Sequence, residues 1–142
     1  MPAFLDQLLY LNRQLKSGLA FLKDYRLGLS NYENTSFTDL STLLYALQLI
    51  VEDIHFTRTR KYLLPLLTTN GEYQPIVDAH IDSQKIVQER MLKLRLHLHD
   101  VRKNPSQQQP LTRAIDDYVN CLSSHLTDHH NPIMVLLDES LS

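Results

Sequence analysis

The sequence predicts an all-α protein in which four helices form one antiparallel, up-down-up-down four-helix bundle. Apolar residues recur at spacings of three and four along four long segments, which is the pattern of helices with one buried face. Glycine, proline and small polar residues interrupt the chain at three points, and no segment shows the alternation of a strand. Short connections between long helices favour antiparallel neighbours.

The three interruptions divide the chain into the four helices. Gly28 follows the first apolar run, Gly71 follows the second, and residues 104–110 contain two prolines and three glutamines. Ser36 stands three residues before Asp39, and this spacing predicts an N-terminal cap that opens the second helix. A chain of 142 residues fits a single domain, residues 1–142.

Each segment carries one stripe that is expected to face the core. The first stripe is Leu5, Leu8, Asn12, Leu15, Leu19 and Leu22. The second is Leu40, Leu44, Leu47, Val51, Ile54 and His55. The third is Val77, His80, Gln84, Val87, Met91, Leu94, Leu98 and Val101. The fourth is Leu111, Ile115, Tyr118, Leu122, His125, His129 and Ile133.

Polar residues interrupt these stripes at similar heights in an antiparallel bundle. They are Asn12, His55, His80, Gln84, His125 and His129. A buried polar group without a hydrogen-bond partner costs about 1–3 kcal/mol. Several such groups at one level therefore need a common explanation, which is a polar network, a ligand or a metal ion.

The histidines on the stripes predict a metal site. His125 and His129 are four residues apart, so an α-helix places both imidazoles on one face. His55 and His80 come from two other helices, and bundle cores build metal sites in this way. The alternative is a network of buried histidines and waters. The remaining histidines, His97, His99 and His130, fall off the stripes and are expected at the surface or at the rim of the bundle.

Three segments of the sequence resemble the hemerythrin-like (HHE cation-binding) family. Residues 55–65 keep the frame of its second-helix signature, in which a histidine precedes two acidic residues and a Leu-Phe-Pro sequence. Residues 75–80 are similar to the family's third-helix histidine segment, and residues 125–130 to its fourth-helix repeat of the signature. Asn12 stands where the family has its first-helix histidine. The resemblance implies a helical bundle that binds iron and a small diatomic ligand, oxygen or nitric oxide.

The departures from the family pattern argue against a di-iron centre. Thr59 and His129 stand where the family has the glutamates that hold and bridge two irons. Without those carboxylates, two cations a few ångströms apart lack the anions that offset their repulsion. We therefore predict a single ion, iron or zinc among others, held by His55, His80, His125 and His129.

Composition and charge exclude several other classes of function. The net charge is −2 with mixed signs, which provides no basic surface for nucleic acid or for an anionic membrane. No apolar run approaches the length of a bilayer span. A single cysteine, Cys121, rules out an internal disulfide and suits the cytoplasm. No nucleophile is paired with a base and no phosphate-binding loop is present, which disfavours an enzyme.

A metal-free interaction protein is the alternative function. Residues 47–56 resemble the helical regulators that bind the sigma subunit of RNA polymerase, although the tryptophan of their first helix is absent from this chain. The sequence leaves the protein partner and the oligomeric state open, a homodimer included.

Overall fold

A computed structural model describes residues 3–30, 36–69 and 71–141, and all of the secondary structure in these ranges is helical. Four long helices form a bundle, as the apolar stripes predict. Helix α1 is Ala3–Ser30 and helix α3 is Gln74–Lys103. Helix α2 spans residues 37–68 and consists of α-helical Phe37–Gln48, π-helical Leu49–Phe56 and Thr59–Leu63, and α-helical Leu64–Thr68. Helix α4 spans residues 108–141 and consists of α-helical Gln108–Ser124, π-helical His125–His130 and α-helical Asn131–Leu141.

The helix ends largely follow the predicted interruptions. Ser36 caps α2, because its Oγ accepts a hydrogen bond of 3.1 Å from the backbone N–H of Asp39. A 3-10 turn at Gly71–Tyr73 precedes α3, and another at Pro105–Gln107 precedes α4. Helix α1 continues two residues past Gly28, since one glycine costs a helix only about 1 kcal/mol and need not end it.

The predicted stripes form the core. All eight residues of the third stripe are buried, as are the second and fourth stripes except for Ile54 and His129, which are half-buried. In α1 the stripe is buried from Asn12 to Leu22, while Leu5 and Leu8 lie outside the described side chains. No helix in the described ranges has the length and apolar character needed to cross a bilayer.

The core is divided into two apolar clusters. The larger draws on residues 15–29, 40–56, 87–101 and 111–126. The smaller draws on residues 63–67, Val77 and 133–137, with Leu9 and Leu11 packed against it. Every buried polar or charged residue in the described part of the chain lies where these two clusters meet. We call this set the polar layer; its members are Asn12, His55, Thr59, His80, Gln84, His125 and His130.

Candidate functional site

The polar layer receives side chains from all four helices and is closed to solvent. Asn12 is 7% exposed and the other six members are at most 1% exposed. This confirms the prediction that Asn12, His55, His80 and His125 face the interior. The apolar clusters on either side make the layer an enclosed polar environment of low dielectric constant, where an unpaired polar group is costly.

Four imidazoles pack against one another in this layer. The ring centroids of His55 and His130 are 4.4 Å apart, and those of His80 and His125 are 4.7 Å apart. His80 and His130 bring the two pairs together, with their centroids at 5.7 Å. Phe56 covers the larger-cluster side of this group, with its ring 5.1 Å from that of His125. We call His55, His80, His125 and His130 the histidine cluster.

The fourth member of the cluster is His130, and the expectation that His130 lies at the surface or rim is wrong. Residues His125–His130 form a π-helical turn, in which hydrogen bonds join residues five apart. Residues five apart therefore share a face, so His125 and His130 both point inward. The prediction from α-helical spacing selects residues four apart, which is the reason that it selects His129.

His129 lies at the edge of the cluster. Its side chain is half-buried, and its ring stacks on that of His125 with the centroids 6.2 Å apart. It also lines a surface groove together with Pro75, Ile76, Ala79, Asp128 and Pro132. The other histidines are where the stripes place them, because His97 is half-buried and His99 is exposed.

The second helix is also π-helical at this level. The π-helical segments Leu49–Phe56 and Thr59–Leu63 flank a short α-helical link, and His55 and Thr59 lie next to that link. The Thr59 hydroxyl donates a hydrogen bond of 2.8 Å to the carbonyl oxygen of His55, so its proton is used within its own helix. Single π-helical turns occur frequently at functional sites because they redirect side chains that a regular helix would place elsewhere.

Few of the ring nitrogens have hydrogen-bond partners. Nδ1 of His125 pairs with Oγ of Ser83 at 2.8 Å, and Nε2 of His80 lies 3.5 Å from Nδ1 of His130. Both nitrogens of His55, Nδ1 of His80 and Nε2 of His125 are buried without a partner among the described residues. Each unsatisfied nitrogen costs about 1–3 kcal/mol. The cluster is therefore a costly arrangement in the absence of another binding partner.

Two amide side chains of the polar layer also have buried atoms without hydrogen-bond partners among the described residues. Oδ1 of Asn12 and Nε2 of Gln84 are also buried and unpartnered. Oε1 of Gln84 accepts a hydrogen bond from Nε of Arg60, whose side chain reaches in from the exposed side of α2. Arg60 is thus a charged group in contact with the layer, and its positive charge disfavours protonation of His80.

Burial keeps the histidine cluster neutral. It lowers the pKa of His55 from 6.5 to about 4. Burial also lowers the pKa of His80 to about 4, with smaller contributions from His55, His129 and Arg60. The pKa of His125 falls to about 2 through burial and then through the neighbouring imidazoles, and the same causes hold the pKa of His130 well below 6.5. Neutral imidazole is the form that coordinates metal ions.

The donor chemistry of the cluster fits one transition-metal ion better than it fits two. The polar layer contains four imidazoles and, among the described residues, no carboxylate. As the side chains are placed, no three histidine, cysteine or carboxylate groups in the described ranges converge on one point as ligands of an ion do. Coordination at this site therefore requires the rings to turn from their mutual packing toward a shared centre.

Sequence reasoning missed two residues of the site. His130 is detectable only if the turn from residue 125 is known to be π-helical. Ser83 has a weak signal, because it lies three residues after His80 on α3 and so occupies a neighbouring position on the helix surface.

Comparison with known proteins leaves the family undecided. Models of protein families, characterised proteins and solved structures were compared with this chain, and none of them matches it.

Proposed function

We propose that this protein is a divergent hemerythrin-like bundle that binds a single transition-metal ion through His55, His80, His125 and His130. The observation that carries the proposal is the set of unpartnered ring nitrogens on buried histidines from three helices. A metal ion supplies a partner for one nitrogen of each of these rings, since a neutral imidazole has one nitrogen with a free lone pair and carries its proton on the other. In the alternative, a network of histidines and waters, buried water supplies hydrogen bonds to the same atoms. Metal analysis distinguishes a bound ion from such a network.

The proposal includes an antiparallel, up-down-up-down arrangement of the helices. Two contacts between α2 and α3 support it. A guanidinium nitrogen of Arg102 donates to the carbonyl oxygen of Phe37 at 3.1 Å, and Arg60 pairs with Gln84. The residue number thus falls along α3 as it rises along α2, which is the pairing expected of antiparallel neighbours.

The absence of carboxylates from the described polar layer supports a mononuclear site. Two divalent ions a few ångströms apart repel strongly in a medium of low dielectric constant unless anions lie between them. Imidazole nitrogen suits zinc, iron, copper and nickel. The hemerythrin-like pattern extends the proposal to iron and to a diatomic ligand, oxygen or nitric oxide, which would take a position on the ion that the protein leaves open.

Metal analysis of protein purified without a histidine tag tests the proposal. We expect one ion of zinc or ferrous iron per chain, bound in competition with a chelator of known affinity. The replacements His80→Gln and His130→Gln are each expected to weaken binding by at least roughly 100-fold, because loss of an outer-shell partner already costs about 10- to 100-fold and each of these variants removes a ligand itself. The matched control is His99→Gln, which changes an exposed histidine of α3 and is expected to leave affinity unchanged.

The variant His129→Gln distinguishes the two assignments of the fourth ligand. We expect it to bind metal nearly as well as the parent, because His129 lies at the edge of the cluster. A larger loss of metal affinity in His129→Gln than in His130→Gln would show that His129 is the fourth ligand, as the α-helical spacing predicts. A parent protein that binds no ion, or that holds two bridged irons, would refute the mononuclear proposal.

A second candidate is a metal-free interaction protein, and the outer surface of the bundle favours it. Leu92 and Leu96 are four residues apart on α3, and they are 58% and 63% exposed. Tyr45 and Leu49 have the same spacing on α2 and are 67% and 41% exposed. A protein that binds a regulatory partner, such as the sigma subunit of RNA polymerase, uses exposed apolar side chains of this kind. If the parent protein binds no metal, this candidate becomes the preferred one.

A further inference from the structure

A groove between α3 and α4 carries an unbalanced positive charge. Its volume is about 250 Å³, and it is lined by Arg90, Lys93, His97, Pro110, Arg113, Ala114 and Asp117. Arg90 is ten residues from His80 along α3, which corresponds to about 15 Å, so the groove is separate from the polar layer. Neither the proposed metal site nor the hemerythrin-like pattern uses these residues.

The helix spacing explains why these residues converge. Arg90, Lys93 and His97 are three and four residues apart, so they share one face of α3. Arg113 and Asp117 are four residues apart and share one face of α4. Ala114, which is 6% exposed, and Pro110 provide an apolar base between them.

The cations of the groove are not neutralised by the protein. Three permanent positive charges face one carboxylate, and no hydrogen bond or ion pair within 4 Å engages Arg90, Lys93, Arg113 or Asp117 in the part of the chain that the structure describes. The neighbouring Asp116 behaves differently, since it pairs with Arg26 at 3.0 Å. This local excess of positive charge, in a protein with a net charge of −2, attracts anions to the groove.

We propose that this groove binds a small phosphate-bearing molecule. Two guanidinium groups offer the planar pairs of N–H donors that match phosphate oxygens, and Lys93 adds a point charge. His97 supplies a further donor beside them. A groove of about 250 Å³ is slightly smaller than typical ligand pockets of roughly 300–1,000 Å³, so it suits a phosphate or diphosphate with a small organic group.

Calorimetric titration with inorganic pyrophosphate at low salt tests this site. The double variant Arg90→Gln/Arg113→Gln is expected to lose roughly tenfold or more in affinity, because both planar donors are removed. The control is Arg13→Gln/Arg58→Gln, which makes the same change of charge at two exposed positions on α1 and α2. We expect the control to retain the affinity of the parent, and circular dichroism would show that both variants remain folded.

A variant that removes a negative charge from the groove tests the proposal in the opposite direction, because its affinity for pyrophosphate is expected to increase. Asp117→Asn removes the one carboxylate of the groove and is expected to strengthen pyrophosphate binding several-fold. Backbone amide shifts in a two-dimensional spectrum of the parent should change at residues 90–97 and 110–117 on titration. No binding at millimolar pyrophosphate, or equal weakening in the two double variants, would overturn the proposal. None of these outcomes bears on metal binding, so the two proposals can fail separately.

Discussion

Acidification of the metal-free protein from pH 7 to pH 5 is expected to lower its free energy of unfolding steeply. The histidine cluster is buried and neutral, and the pKa values of His55 and His80 lie near 4 and that of His125 near 2, whereas an unfolded histidine has a pKa of about 6.5. Below pH 6.5 the unfolded state binds more protons than the folded state, so stability decreases as the pH falls. The full stability is present above pH 6.5 and is lost progressively, down to about pH 4 for His55 and His80 and to about pH 2 for His125.

The expected size of this effect is large relative to the stability of a small domain. Each histidine that titrates only in the unfolded state removes about 2 kcal/mol between pH 7 and pH 5. Four such groups together remove about 8 kcal/mol, which is comparable to the 5–15 kcal/mol that is typical of a whole domain. Urea unfolding at half-unit pH intervals in the presence of a chelator should therefore show an acid transition near pH 5, before most carboxylates titrate.

Variants of the cluster separate this effect from other titrations. The double replacement His80→Gln/His125→Gln is expected to remove about half of the pH dependence between pH 7 and pH 5, since it removes two of the four groups. The control His97→Gln/His99→Gln changes two histidines outside the cluster and is expected to retain the dependence of the parent. An unchanged slope in the first variant would mean that these histidines are accessible to solvent, and the enclosed polar layer would then be wrong.

The replacement His55→Leu is expected to stabilise the metal-free protein while strongly weakening metal binding. Both ring nitrogens of His55 are buried without a partner, and its side chain is fully buried near the apolar cluster. Leucine has a similar volume and no polar atoms, so the variant avoids the cost of the unsatisfied nitrogens, about 1–3 kcal/mol. The measurement is urea unfolding at pH 8 with a chelator present, where all of the histidines are neutral.

The control for this measurement is His99→Leu, at an exposed position where a change of about 0.5 kcal/mol or less is expected. If His55→Leu increases the free energy of unfolding and weakens metal binding, then His55 serves metal binding and lowers the stability of the metal-free protein. Destabilisation by His55→Leu would instead show that the nitrogens are satisfied by buried water. That result would favour the network of histidines and waters over a metal site.

The position of the polar layer connects stability with the proposed binding. The two apolar clusters stabilise the bundle on either side, so the layer can hold unsatisfied groups without unfolding the protein. The same clusters exclude solvent, which lowers the pKa values of the histidines and keeps them available as neutral donors. Acid sensitivity and metal binding therefore have the same physical origin.

The sequence by itself determined the helices, their buried faces and most of the polar layer. Side chains recur along a regular helix with a fixed period, so a stripe such as Val77 to Val101 can be read directly, and a polar residue such as His80 within it must be buried. The cap at Ser36 depends on residues three apart in sequence and was predictable for the same reason. Local periodicity is sufficient for features of this kind.

Only the tertiary structure decided which histidine completes the cluster and which nitrogens remain unpartnered. The π-helical turn at His125–His130 changes the local period, and it replaces His129 with His130 on the inner face. The contacts of His55 with His130, and of Ser83 with His125, join residues on different helices. Their distances depend on how the helices pack together, which no spacing along a single helix encodes. The groove formed by Arg90 and Arg113 depends in the same way on the packing of α3 against α4.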